Sequence, residues 1–295
     1  MSELKTTDRP EVWAFETAAL RGELSASSAT QRHGITSLIQ KSTNRQIVQE
    51  GLYCLHLYRI LTRNHWLSQC RDVPHSGRVE ADQLVIRWPS EALGPGLEAE
   101  ARYRLFGDNA IDLTVTLRNA HRWHRDLELY TSNYFAPGMS PGLYTVRPFS
   151  GPAFAGSGAV LTQPVGNTAT TGCYHAWPRD SLAAQKFTDG RWEYGTHSPV
   201  PWTIGRWLAQ PLGFYATDDR QTLAVVMARA EQCFAMGTSY RSDDPNDDVA
   251  QHNSLYHNLI GEDVGPGWER VLHQRLLLTT WEDDEAPLQA FAGFV

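Results

Sequence analysis

The sequence predicts an all-β fold, a large antiparallel β-sandwich, and three observations lead there. Runs of β-forming residues with period-2 alternation recur about every 8 to 12 residues, separated by Gly, Pro, Asn and Asp turns. Helical periodicity is weak throughout. The 295 residues are 41% hydrophobic and only 20% charged, which is enough apolar material for a large core. Because no repeat or linker divides the chain, we expect residues 1–295 to form a single β-sandwich domain.

The clearest strands form a hairpin in the first half of the chain. Apolar residues alternate with polar ones from Leu97 to Leu105 and again from Ile111 to Leu117, and the turn Gly107–Asn109 joins the two runs. Each run therefore turns one face to a core and the other to solvent. Further strands are predicted at Leu52–Leu61, Gln83–Trp88, Leu127–Phe135, Thr222–Met227, Cys233–Thr238 and Val271–Trp281.

The stretch from Pro137 to Pro211 differs from the rest because it is rich in Gly, Pro, Trp and His and poor in alternation. We expect long irregular loops there, and such loops tend to carry function. The only helix predicted is a short one, Asp180 to Lys186, capped by Asp180.

Composition excludes several classes of function. The net charge of −7 and the scattered Lys and Arg residues argue against nucleic-acid partners. No signal peptide or long apolar run is present, so we expect a cytoplasmic protein with reduced cysteines and no membrane partner. Phosphate-binding, serine-hydrolase and zinc-peptidase motifs are missing. The acidic run 242–248 lacks the Gly and Glu of a calcium loop. Neither a cofactor nor a metal is predicted, and the oligomeric state is left open.

Four segments, in order along the chain, carry a family resemblance. They are GITSLIQKSTNR at 34–45, SNYF at 132–135, DDRQTLAVV at 218–226 and GPGWE at 265–269. The set resembles the galactose mutarotase-like superfamily, the large β-sandwich of aldose epimerases, which also forms domains of glycoside hydrolases and lyases. The resemblance implies a supersandwich fold and a sugar as the small-molecule partner.

The sequence departs from the family at both catalytic positions. The resemblance implies a His acid where this chain has Ser132, and a hydroxyl is no acid near neutral pH. It also implies a late Glu base, where the nearest stretch, residues 249–254, offers only His252. The fold analogy therefore does not supply the function by itself.

Candidate site residues come from two polar segments. Residues 174–180 combine an aromatic platform with polar groups: Trp177 to stack on a sugar, Arg179 to hold hydroxyls or a carboxylate, and His175 and Asp180 for proton transfer. Near the chain's end, His252 and His257 would face opposite sides of a strand, and His252 lies nearer the expected base. The catalytic candidates are thus His252, His175 and Asp180.

Further substrate-binding candidates lie outside these segments. Asn133 and Tyr134 belong to the motif whose side chains line the site in epimerases, and the same resemblance makes Arg71 or Arg59 a sugar ligand. His75 lies in a loop next to Arg71, and Glu193 is a carboxylate between two aromatic residues. Structural roles remain open for all of them.

The leading hypothesis is an epimerase-like enzyme that acts on a sugar by His-based proton transfer. One alternative is a lyase or hydrolase of oligosaccharides, with Tyr134 or a His as base and Arg179 neutralising a uronate. The other is a non-catalytic carbohydrate-binding module, which the loss of the family's His and Glu favours.

Overall fold

The fold was analysed in a computed structural model, which describes residues 3–27, 32–146, 159–162, 174–193, 202–238 and 253–294. Within these ranges the strands are β1 Lys5–Thr6, β2 Val12–Glu16, β3 Leu20–Ser27, β4 Arg32–Gln40, β5 Arg45–Gln46, β6 His56–Thr62, β7 His65–Gln69, β8 Ser76–Glu80, β9 Gln83–Trp88, β10 Leu97–Phe106, β11 Ala110–Asn119, β12 His124–Phe135, β13 Ser140–Val146, β14 Ala159–Thr162, β15 Tyr174–Pro178, β16 Trp202–Ile204, β17 Leu208–Ala216, β18 Leu223–Ala228, β19 Cys233–Thr238, β20 Asn253–Val264 and β21 Trp268–Thr279. The helices are α1 Ser181–Gln185 and α2 Ala286–Ala292.

These strands form three sheets. A five-stranded sheet has the order β1-β2-β3-β4-β5, a nine-stranded sheet β14-β13-β17-β18-β21-β11-β10-β9-β8, and a seven-stranded sheet β16-β15-β19-β20-β12-β6-β7. Apart from the parallel pair β15–β16, all the described pairings are antiparallel. The main core takes apolar residues from all three sheets, among them Leu24, Val115 and Leu129. The predicted antiparallel sandwich is confirmed.

Most of the predicted elements agree with the structure. The hairpin, β9, β19 and the Asp180-capped helix lie where the alternation and the cap place them, and Asp180 accepts a hydrogen bond from the Ala183 backbone N at 2.8 Å. The expectation of irregular loops over Pro137–Pro211 was wrong for the described part, which contains β13 to β16 and the start of β17. Helix α2, which packs Phe291 over the outside of the nine-stranded sheet, was not predicted.

Alternation in the seven-stranded sheet separates two environments. In β12, Leu129 and Phe135 enter the main core, whereas Tyr130 and Tyr134 point to the opposite side. The same rule places Leu255 in the core and Tyr256 on the far side of β20. We call this far side, with Tyr130, Tyr134 and Tyr256, the aromatic face.

Candidate functional site

The aromatic face is covered rather than open. Phe187, Trp192 and Trp202 pack on it, with Trp192 edge-on to Tyr130 at 4.9 Å between ring centroids. Tyr130 in turn stacks on Tyr256 at 4.9 Å. Three tyrosines of the sheet and three aromatic residues of the following segments therefore build one continuous layer, with polar side chains gathered at the β6 end.

A strained residue shapes that polar end. Leu55 has a φ of +49°, which an L side chain rarely adopts, and the predicted strand Leu52–Leu61 consequently begins only at His56. The backbone N of Leu55 donates to the Asn133 side chain at 2.8 Å, and the Tyr103 hydroxyl donates to its carbonyl at 2.8 Å. The turn stacks the rings of Tyr53 and His56 at 3.8 Å. Such strain often marks a functional site.

His56 is the histidine nearest the motif position. Its Nδ1 lies 3.0 Å from the Ser132 Oγ, the position where the resembling family has its acid, while its Nε2 is buried with no hydrogen-bond partner in the described structure. The ring of His33 lies 4.1 Å from that of His56. Gly34 makes this approach possible, because a Cβ there would lie 2.7 Å from the Cys54 carbonyl oxygen.

His75 completes a cluster of three histidines, with its ring 5.7 Å from that of His33. Its Nδ1 lies 2.9 Å from the Val73 carbonyl oxygen. Because a carbonyl only accepts, Nδ1 is the donor, and Nε2, which is buried without a hydrogen-bond partner in the described structure, is the nitrogen left to take a proton. This arrangement suits a general base.

Two arginines lie at the same end of the face. Arg71 donates from Nη1 to the Tyr53 hydroxyl at 2.7 Å, and Arg59 donates from Nη2 to the Tyr58 hydroxyl at 3.0 Å. Both guanidinium groups pack against the Tyr58 ring, at 4.5 Å for Arg59 and 5.5 Å for Arg71. We call Arg59, Arg71 and the three histidines, with Tyr53 and Tyr58, the Arg–His cluster.

Burial controls the protonation of this cluster. It holds the pKa of His56 well below the usual range, and the neighbouring His33 and Arg71 add to the effect. The pKa of His33 is likewise far below normal because the ring is fully buried. Burial also raises the pKa of Tyr53, although Arg71 opposes the rise. At neutral pH the rings of His33 and His56 are therefore neutral beside the guanidinium groups of Arg59 and Arg71.

A second buried arginine site fixes the cover to the sheet. Arg191 is fully buried, and its Nη1 contacts Glu128 Oε2 at 2.6 Å while its Nη2 contacts Asp189 Oδ2 at 2.8 Å. Asn258 donates to the other Glu128 oxygen at 2.6 Å. Every charge of this group, which we call the Arg191 clamp, has an opposite charge beside it. The clamp holds the neighbouring Trp192 against Tyr130.

The structure brings only part of the predicted site together. Arg71, His75 and Tyr134 all belong to the polar end, where Tyr134 lies edge-on to Tyr53 at 5.5 Å. Asn133 needs correction as a substrate ligand. Both ends of its amide bind backbone groups, of Leu55 and Leu255, so it braces the strained turn from within the core.

The residues predicted from segment 174–180 lie elsewhere. Trp177 packs into the main core, and His175, which stacks on it at 5.9 Å, points away from the aromatic face because alternation along β15 gives that face to Tyr174 and Ala176. Arg179 and Asp180 pair at 3.2 Å on a separate cavity of about 510 Å³. His175 and Asp180 are therefore not assembled as a catalytic pair.

Two further predictions have different outcomes. Glu193 is exposed, in the turn after Arg191. His252, the preferred base, falls outside the described residues. Within the described strand β20, Ser254 lies on the same side as Tyr256, and His257 is buried on the other side, as the alternation predicts.

Sequence reasoning missed His33, Tyr53 and His56. A signal for His56 and Arg59 was present, since they are polar residues within an otherwise apolar predicted strand.

Within the described ranges, no group of three or more His, Cys, Asp or Glu side chains is arranged to hold a metal. No helix described here has the length and apolar character needed to cross a membrane.

Solved structures share this fold over nearly the whole chain. Galactose 1-epimerase from Lactobacillus acidophilus is 8% identical with a TM-score of 0.51, covering 95% of this chain and 99% of its own. A candidate aldose 1-epimerase from Klebsiella pneumoniae is 10% identical with a TM-score of 0.53, covering 99% and 86%. A TPR-domain containing protein from Parabacteroides distasonis is 9% identical with a TM-score of 0.52, and this chain, covered to 95%, spans 50% of it.

At such low identity the likeness establishes the fold alone. The chain has the galactose mutarotase-like β-sandwich fold, as the four motif segments predicted. No protein-family model and no curated sequence matches it.

Proposed function

We propose that the whole chain acts as one carbohydrate-active domain, an epimerase-like enzyme that transfers protons on a sugar at the Arg–His cluster. One observation carries the proposal: the hydrogen bond between His56 and Ser132 puts an imidazole next to the motif position that has lost its His. The neighbouring strand β6 thus has an imidazole beside the position where β12 has a serine, and this imidazole belongs to the cluster that would carry the proton transfers. The fold shared with a galactose 1-epimerase adds support.

The cluster contains groups suited to both proton transfers of mutarotation. One step takes the proton of the anomeric hydroxyl, and we assign it to His75, whose Nδ1 contacts the Val73 carbonyl and whose Nε2 has no hydrogen-bond partner in the described structure. The other step gives a proton to the ring oxygen as the ring opens. We assign this role to Tyr53, because Arg71 donates to its oxygen, opposes the rise in pKa that burial causes and would stabilise the developing phenolate. The reverse transfers close the ring on its other face.

NMR-monitored anomer exchange of several aldoses tests the proposal. We expect exchange faster than in buffer, a loss of at least tenfold in His75→Gln, and a smaller loss in Ser132→Ala, which frees the His56 ring. Ser68→Ala is the matched control, since it removes a buried hydroxyl that donates to the Leu93 carbonyl instead. His252→Ala asks whether that residue contributes as the base predicted from the sequence.

The outcome also separates the alternatives. Exchange equal to that in buffer would remove the epimerase proposal. Sugar binding without turnover would then favour a binding module, and release of unsaturated products from acidic oligosaccharides would favour a lyase.

A further inference from the structure

Arg59 is a buried positive charge without a negative partner among the residues that the structure describes. Only 7% of its surface is exposed, yet none of the ion pairs within 4 Å among the described residues includes it. Its guanidinium lies 4.3 Å from the Trp66 ring centroid and 4.5 Å from that of Tyr58, and its Nε has no hydrogen-bond partner in the described structure. The Arg59 guanidinium is thus removed from solvent while one of its N–H donors, at Nε, makes no hydrogen bond to the described residues.

Aromatic rings do not account for this arrangement. A ring face attracts a guanidinium but leaves its charge in place, and a buried charge is costly unless an anion accompanies it. The histidines nearby offer no compensation, since burial keeps the pKa of His33 and His56 far below normal, and a neutral imidazole carries no negative charge. The missing anion is therefore expected from outside the described chain.

Arg71 adds a second cation on the same ring. The nearest carboxylate to it is Asp72 at 3.6 Å, which is exposed and so largely compensated by solvent. The Arg71 Nε is also buried without a hydrogen-bond partner in the described structure. Two guanidinium groups packed against Tyr58 thus present unused N–H donors, and the planar fork of arginine matches the oxygens of a carboxylate or phosphate.

We propose that Arg59 and Arg71 bind an anionic group of the substrate, which makes the substrate an acidic sugar. This inference rests on the proposed function, because it names the substrate class of the same site. A sugar phosphate and a uronic acid share the chemistry that the two arginines recognise. The anion would neutralise the buried charge, and the sugar ring would lie toward Tyr53 and the histidines.

Calorimetric titration of the full chain tests the inference with four probes: galactose, glucuronate, glucose 6-phosphate and inorganic phosphate. We expect at least one acidic sugar to bind 10-fold or more tightly than galactose, and glucuronate against glucose 6-phosphate tells a carboxylate site from a phosphate site. Arg59→Met should reduce this preference about 10- to 100-fold. Arg118→Met, an arginine of β11 already paired with Glu98 and Glu269, should leave it unchanged.

Several results would overturn the inference. They are equal binding of galactose and both acidic sugars, a preference that survives Arg59→Met, and inorganic phosphate binding as tightly as the sugar phosphate. If Arg59→Met does not fold, Arg59→Lys keeps the charge but loses the fork, and the preference should still fall. Acidic-sugar binding without anomer exchange in the unaltered protein would uphold this inference and remove the proposed chemistry, whereas exchange of galactose without acidic preference would do the opposite.

Discussion

Arg59 and Arg191 are both buried arginines near Trp192 on the aromatic face, yet their surroundings differ. Arg191 has Glu128 and Asp189 within 2.8 Å and is fully enclosed. Among the described residues, Arg59 has aromatic rings and one tyrosine hydroxyl around it but no carboxylate within ion-pair distance. The first arrangement is complete within the described residues, whereas for the second we propose an anion that the substrate brings.

This difference separates a structural from a functional use of the same side chain. The Arg191 clamp joins Asp189, in the cover, to Glu128, in the sheet, so its contacts stabilise the fold. Arg59 forms no ion pair that links two parts of the described chain. Substitutions at the two positions should therefore give opposite patterns in stability and binding.

The largest expected effect is on stability in Arg191→Met. The change leaves Glu128 buried without its counter-ion, and breaking a buried ion pair costs about 3–5 kcal/mol of the free energy of unfolding. Arg59→Met, which removes an uncompensated charge, should change it by only about 1 kcal/mol. Urea unfolding of the two variants measures both values.

The double variant Glu128→Leu with Arg191→Met is the control, because it removes both charges of the pair and should recover part of the loss. Equal destabilisation by Arg59→Met and Arg191→Met would end the distinction between the two sites.

The next effect is a loss of stability in acid. His33 and His56 in the cluster, and His257 on the other side of the sheet, are neutral in the folded protein because burial lowers each pKa, that of His257 to about 3. Unfolded histidine takes up a proton near pH 6.5, so the unfolded state binds more protons below that pH. The free energy of unfolding should therefore be independent of these histidines above about pH 7. Below pH 6.5 it should fall by about 1.4 kcal/mol per pH unit for each histidine.

Urea midpoints at pH 7.5, 6.5 and 5.5 measure this slope. His257→Gln should reduce this pH dependence whether or not an acidic sugar is present. His56→Gln should reduce it as well. A bound acidic sugar should reduce only the contribution of His33 and His56. A constant midpoint over this range would contradict the neutral state of the buried rings.

The smallest expected effect is the loss of stability in variants of Asp180, a residue that belongs to neither arginine site. Its carboxylate caps α1, so Asp180→Ala should lower stability by about 1 kcal/mol, and Asp180→Asn, which can still cap, by a few tenths. Thermal unfolding measures the two variants. A tenfold loss of anomer exchange in Asp180→Asn, with unchanged stability, would support the catalytic role that the sequence predicted for this residue.

Local patterns along the chain explain which predictions succeeded. The hairpin β10–β11 was predictable because each strand alternates over ten residues, and the cap of α1 because Asp180 precedes the helix directly. The strand β13 was missed because Pro141 and Gly142 interrupt it, and β14, β15 and β16 because they are only four, five and three residues long. Pairing with other strands therefore decides their conformation. Arg71, His75 and Tyr134 were predicted, but as parts of a different constellation.

The sequence by itself determined the alternation of the strands, the sandwich class and the serine at position 132, where the resembling family has a His. Only the tertiary structure decided which polar residues meet. His33 comes from β4, His56 from β6 and His75 from the loop before β8. The strained turn at Leu55, held by Asn133 and Tyr103, brings Tyr53 next to His56. A site assembled from distant strands depends on register and on one unusual φ, and neither leaves a local periodicity in the sequence.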